Sequence, residues 1–163
     1  MNRFHGIELN PGTAAFLART QRMLIGGEWV EASSGASLPV IDPASNETFC
    51  HVPAGDAADI ERAVAAARRA FESGEWPRHR PVDRERLLLR LADLLEAHAQ
   101  EFAELEALDN GKPVMVARHV DVALSIDFIR YMAGWATKIE GHTMELSVPL
   151  VRDREFFGFT RRE

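Results

Sequence analysis

The spacing of apolar residues changes twice along the chain. From residue 24 to residue 52 they come in short clusters separated by Gly, Pro and Asp. Leu24-Ile25 and Trp29-Val30 flank Gly26-Gly27, and glycine tolerates positive φ in tight turns, so a β-hairpin is predicted. Ser33 to Ser37 reads as a polar loop. Val40-Ile41 precedes Asp42-Pro43, where the proline disfavours helix at the preceding residue. Ala44 to Glu47 makes a further turn, and Thr48 to Val52 is strand-like. Together these form a small antiparallel β unit. Residues 1 to about 20 carry no sustained period and read as a weakly structured arm.

A helical period follows. Asp56 suits an N-cap, and Asp59 meets the positive end of the helix. Ile60, Val64, Ala67 and Phe71 recur at helical spacing until Ser73-Gly74. A second helix is predicted from Pro81, a residue suited to the first turn. Its stripe is Leu87, Leu88, Leu91, Leu94 and Leu95, continued by Phe102 and Leu105 after a bend near His98 and stopped by Asn110-Gly111. A third helix is predicted from about Pro113 to Glu140, with Gly141 as its cap. Val116, Val120, Leu124, Phe128 and Tyr131 share one side of it, followed by Trp135 and Ile139. Thr143 to Val148 then alternates polar and apolar, the mark of a half-buried strand. Pro149 to Arg154 is a charged connection, and Glu155 to Thr160 reads as a second strand.

The 163 residues suit one domain able to bury a core. The 46% hydrophobic and 27% charged content is that of a globular protein. A net charge of −6 argues against nucleic acid as a partner. No apolar run is long enough to span a bilayer, so no membrane partner is expected. No secretion signal shows in Met1 to Asn10, and the single cysteine excludes an internal disulfide, so a cytoplasmic location is expected.

Chemistry is sparse. Cys50 is the sole thiol, and a nucleophilic thiol needs a base or a helix N-terminus beside it. His51 cannot serve, because neighbouring strand residues face opposite ways. Cys50 therefore reads as a small packed hydrophobe. His5, His51, His79, His98, His119 and His142 share no i, i+4 spacing and join no cysteine cluster, so they do not read as metal ligands, and most read as surface residues. No glycine-rich phosphate loop opens a helix. The arginines between Arg78 and Arg90 alternate with Asp83 and Glu85, which fits a solvated helix face.

Several segments, taken in order, resemble the aldehyde dehydrogenase superfamily. They are Ile25-Gly26-Gly27-Glu28-Trp29-Val30, then Asp42-Pro43-Ala44, and the helix from Asp59 to Arg68. Next come Leu108-Asp109-Asn110-Gly111-Lys112-Pro113 and Arg130 to Gly141. The last, Phe159 to Glu163, is similar to the stretch preceding that family's first catalytic motif. The connection Leu146 to Glu155 looks most like that of phenylacetaldehyde dehydrogenases.

The resemblance implies an α/β fold: a β-hairpin unit and three long helices of a Rossmann-like cofactor-binding domain, ending in a two-stranded oligomerisation arm. The implied division is a flexible arm over 1–22, the N-terminal part of the cofactor-binding domain over 23–141, and the arm over 142–163. The fold would be incomplete, with the catalytic domain absent. The family oxidises aldehydes with NAD or NADP, using a cysteine thiolate, an oxyanion-binding asparagine and a water-activating glutamate. None of these matches a residue here, so no catalytic or cofactor-binding residue is assigned. The expectation is an inactive fragment of an enzyme that oxidises an aldehyde, an arylacetaldehyde by the closer likeness, to a carboxylic acid, with no cofactor of its own. A truncated, non-catalytic subunit that associates with a full-length partner is the alternative. By the resemblance, Asp109 and carbonyls near Ile41 would hold a structural monovalent cation. Val120 and Leu124 would lie near the mouth of the substrate tunnel, and residues 143–161 would join subunits into a homo-oligomer.

Overall fold

A computed structural model describes residues 3–4 and 7–161. The sequence reading of His5 and of Arg162-Glu163 lies outside the described residues.

Four antiparallel strand pairs and a set of helices make up the described chain. Strands β1 (Arg3–Phe4) and β2 (Ile7–Glu8) pair first. Helix α1 (Pro11–Leu17) follows, where only weak structure was expected. The Asn10 side chain accepts from the Gly12 N–H at 2.8 Å, and Pro11 begins the helix with its φ already set. Thr13 and Ala14 are buried, and the Asn10 N–H donates to Glu104 at 2.9 Å, so this segment is tied to a helix ninety residues on.

Strands β3 (Met23–Ile25) and β4 (Glu28–Val30) form the expected hairpin. Both central residues are left-handed, Gly26 at φ 64° and Gly27 at φ 90°, the geometry that a two-residue turn needs to match strand twist. Strands β5 (Ser37–Asp42) and β6 (Glu47–Pro53) pair with a register shift between Val40 and Ile41. Asp42 shapes their turn. Its carboxylate accepts from the Ala44 N–H at 2.9 Å and the Ser45 hydroxyl at 2.7 Å.

Helix α2 (Ala57–Ser73) starts in a capping box between Asp56 and Asp59. It stops at Gly74, which keeps an ordinary negative φ of −67°. Space decides there: a Cβ would lie 2.1 Å from the Ala70 carbonyl oxygen. Helix α3 (Pro81–Ala97) breaks at His98 as expected, and α4 (Ala99–Asn110) ends at Gly111 with φ 73°.

The third helical stretch is not one continuous α-helix. A single turn, α5 (Val114–Val116), runs into a π-helical segment, Ala117–Val122, and then α6 (Ala123–Trp135). It ends at Trp135 with Ala136 as its cap, short of the expected Glu140 and Gly141. Strands β7 (Thr143–Leu146) and β8 (Phe156–Phe159) close the chain as a pair.

The core is built mostly from small residues. Ala92, Ala99, Ala103, Ala117, Val122 and Ile126 form one buried cluster, with Leu95, Val114 and Ile129 packed against it. Alanines let α3, α4 and α6 approach closely, where any added methylene meets a neighbour. At the rim, Arg130 on α6 reaches Glu96 at 2.6 Å and Asp93 at 3.1 Å on α3.

Burial separates the apolar faces that the chain covers from those that it leaves open, and it corrects one expectation. The stripes with the largest side chains are not the buried ones: Ile60, Val64 and Phe71 on α2, Leu87, Leu91 and Leu94 on α3, and Val120, Leu124 and Phe128 are all exposed. Strand β7 is not half-buried, since all four of its residues are exposed. Periodicity reports that a helix or strand has an apolar face, but not whether this chain covers it.

Candidate functional site

The C-terminal end of α4 meets the β5–β6 turn. Gly111 seats against Pro43, whose Cγ would lie 2.8 Å from a Cβ at that position. Here the structure brings together two regions that the sequence linked only through resemblance. Asp109, exposed in the last turn of α4, lies close enough to the Cys50 thiol to act on it electrostatically. Cys50 pairs with Val40 on β5, directly beside the register shift that precedes Ile41.

Burial pushes the Cys50 thiol pKa up, and the Asp109 carboxylate pushes it further the same way. Both effects keep the thiol protonated, the reverse of what a nucleophile needs. This agrees with the reading of Cys50 as a packed hydrophobe. Alkylation by iodoacetamide at neutral pH is expected to run at least about tenfold slower in the folded chain than in urea. Equal rates would remove the shielding inferred here.

The remaining sequence candidates sit on the third helical stretch. Val120 lies within the π segment and Leu124 in the first turn of α6, and both side chains face outward. Phe128 continues the same exposed face. The inward face carries Ala117, Val122, Ile126 and Ala133 instead. His51, His98, His119 and His142 are exposed, and His79 is half-buried. Among the described residues, no three His, Cys, Asp or Glu side chains gather as a metal site would require. Nor is any described helix long and apolar enough to cross a membrane.

Sequence reasoning overlooked two groups. Lys112, in the turn between α4 and α5, holds Asp121 at 2.7 Å and Glu106 at 3.3 Å. The Asp121 hydrogen bond raises its pKa most, with Glu106 adding to it. This pairing spans a turn that no helical spacing rule covers. Glu104 was also missed. It is buried on α4 and accepts from Asn10 and from the Gln100 side chain at 2.8 Å. Its i, i+4 relation to Gln100 was the available signal.

The arrangement is one of small helices and hairpins carrying exposed apolar faces, and comparison with known proteins identifies its class. Residues 29–163 match the model of the aldehyde dehydrogenase family, and the chain belongs to that family. It is 48% identical over 141 residues to a phenylacetaldehyde dehydrogenase of Pseudomonas fluorescens, covering 86% of this chain and 28% of that protein. It is 47% identical over 128 residues to a mitochondrial benzaldehyde dehydrogenase of Antirrhinum majus, covering 78% of this chain and 24% of that one. An NAD+ complex of a Bacillus cereus aldehyde dehydrogenase superposes with a TM-score of 0.81 at 42% identity, over 93% of this chain and 30% of that structure. The chain thus spans less than a third of the length of these relatives.

Proposed function

We propose that this chain is the N-terminal segment of an NAD(P)-dependent, cytoplasmic aldehyde dehydrogenase, and that the whole enzyme oxidises an arylacetaldehyde to its acid. The observation that carries this reading is the outward apolar face of Val120, Leu124 and Phe128, on a chain nearly half identical to a phenylacetaldehyde dehydrogenase. An apolar surface suits an aromatic substrate, whose ring gains most from leaving water. The segment's part in the reaction is to help shape the passage that admits the aldehyde. Asp109 and the carbonyls near Ile41 offer oxygen donors only, which fits a hard monovalent cation with a structural role. The dinucleotide supplies the hydride acceptor in the whole enzyme. Among the described residues the left-handed glycines at 26–27, 35 and 111 close turns, which supports placing the dinucleotide cradle elsewhere in the whole enzyme. Association of whole subunits through residues 143–161 belongs to the same reading.

A second reading is a non-catalytic partner that binds a full-length subunit. Its support is the β7–β8 pair, which exposes Phe157 and Phe159. One experiment separates the two. The chain replaces its matched segment in the Pseudomonas fluorescens enzyme, and reduced nicotinamide is followed with phenylacetaldehyde. The graft is expected to retain kcat/KM within about tenfold of the parent, and the chain alone to give no turnover. An inactive but folded graft would favour the second reading. Turnover by the chain alone, abolished by Cys50→Ser, would overturn both.

A further inference from the structure

Residues 117–122 form a π turn, and the burial pattern shows what that turn achieves. The inward positions are Ala117, Val122, Ile126 and Ala133. The step from Ala117 to Val122 is five residues, whereas the step from Val122 to Ile126 is four. A π turn closes on i+5, so its one extra residue rotates everything after it. Had the segment stayed α-helical, the position four after Ala117 would face inward, and that position is Asp121. The π turn therefore keeps a carboxylate out of the alanine core and puts Val122 there instead. It also fixes the direction in which Val120 and Leu124 point.

π turns are rare and need support. Asp121 is held from outside the helix: Lys112 Nζ lies 2.7 Å from its Oδ2 and is itself anchored 3.3 Å from Glu106 Oε1 on α4. Lys112 stands beside Gly111, whose seat against Pro43 fixes the turn. The ammonium group thus ties a fixed point of the fold to the middle of the π segment. Ser125 adds a lesser hold, donating to the Asp121 carbonyl oxygen at 2.7 Å.

We infer that Lys112 is a positioning residue, whose ion pair with Asp121 holds the π register of residues 117–122 and so aims Val120 and Leu124. Its consequence for substrate choice rests on the proposed function above. Without the ammonium group, Asp121 faces Glu106 with no cation between them. The segment then loses the hold on its π turn and opens more often, and Val120 and Leu124 are no longer fixed toward a bound ring.

The register is read on the chain itself by hydrogen exchange. In Lys112→Met, amides 117–122 are expected to lose protection by roughly tenfold relative to those of 81–97, and Lys112→Arg to retain it. Unchanged protection, or equal loss in both regions, overturns the inference. Substrate choice is read in the graft, with phenylacetaldehyde against acetaldehyde. Lys112→Met and Asp121→Asn, which remove the pair from opposite ends, should each raise KM for phenylacetaldehyde by about tenfold, with kcat within about twofold and KM for acetaldehyde little changed. A fall in kcat for both aldehydes alike would mark a merely structural role and count against the inference. Val120→Trp is the control. If it leaves the preference unchanged, the tunnel reading fails and exchange alone decides the register. If it shifts the preference and Lys112→Met does not, the positioning claim fails.

Discussion

At tens of micromolar the chain is expected to elute as oligomers, with little monomer. Three separate faces require this. Ile60, Val64 and Phe71 lie exposed on α2, and Val120, Leu124, Phe128 and Tyr131 line the third helical stretch. Phe157 and Phe159 stand out from β8, at 62% and 74% exposure. Burying a large apolar side chain contributes roughly 2 kcal/mol, and micromolar association needs about 8 kcal/mol, so a few rings brought together suffice. Among the described residues, strands β7 and β8 pair only with each other, which leaves each with an open hydrogen-bonding edge. Deleting residues 143–161 should shrink the oligomers while leaving helical circular dichroism intact, because no residue of β7 is buried. The α2 and α6 faces would keep some association even then. Light scattering decides the matter: a monodisperse monomer would refute the expectation, and an oligomer unchanged by the deletion would remove the arm from the interface.

Acid should unfold the chain partly through one carboxylate. Asp59 is 1% exposed and accepts from the Ser33 N–H and hydroxyl, the Asp56 N–H and the Arg62 guanidinium. These bonds, the Ser33 hydroxyl foremost, hold its pKa far below the ordinary 3.8 despite the opposing effect of burial. The folded-state pKa is depressed, so the contribution to stability is fully present above the unfolded value. It is lost as pH falls from about 5, since the unfolded chain takes up the proton first. Asp59→Asn removes this dependence. Its amide also sets an N–H donor against the donors of Ser33. The melting temperature of the variant should fall by roughly 5 °C or more at neutral pH. Its decline between about pH 5 and pH 2 should be shallower than that of the parent chain. Parallel declines would show that other groups govern the acid transition.

Local signals were legible in the sequence. Gly26-Gly27, Asp56 with Asp59, the break at His98 and the stop at Asn110-Gly111 each depend on neighbours within a turn, and each stands where expected. Helix α1 could have been read too, because Asn10-Pro11 is a cap followed by a helix-starting proline. Two features could not. The inward face of the third stretch depends on a π insertion that the regular recurrence of Val116, Val120, Leu124 and Phe128 conceals. The choice of alanine over leucine for the core depends on how closely the helices approach, which a single helix does not encode. Of the candidate site, the meeting of Asp109 with the β5–β6 strands followed from the resemblance alone. The Lys112 bridge joins residues nine apart across a turn, beyond any spacing rule.

Every strand pair described joins consecutive strands, and this bears on how the chain comes into being. Neighbouring strands close short loops, which cost little chain entropy and form fast. A hairpin closes in about 1–10 μs, whereas a ribosome adds only about 5–20 residues per second. The ladder of β3 and β4 needs nothing beyond Val30, and that of β5 and β6 nothing beyond Pro53. Each can be complete while the helices that follow are still being made, so the emerging polypeptide presents finished hairpins in succession and leaves its exposed apolar faces as the last surfaces to find cover.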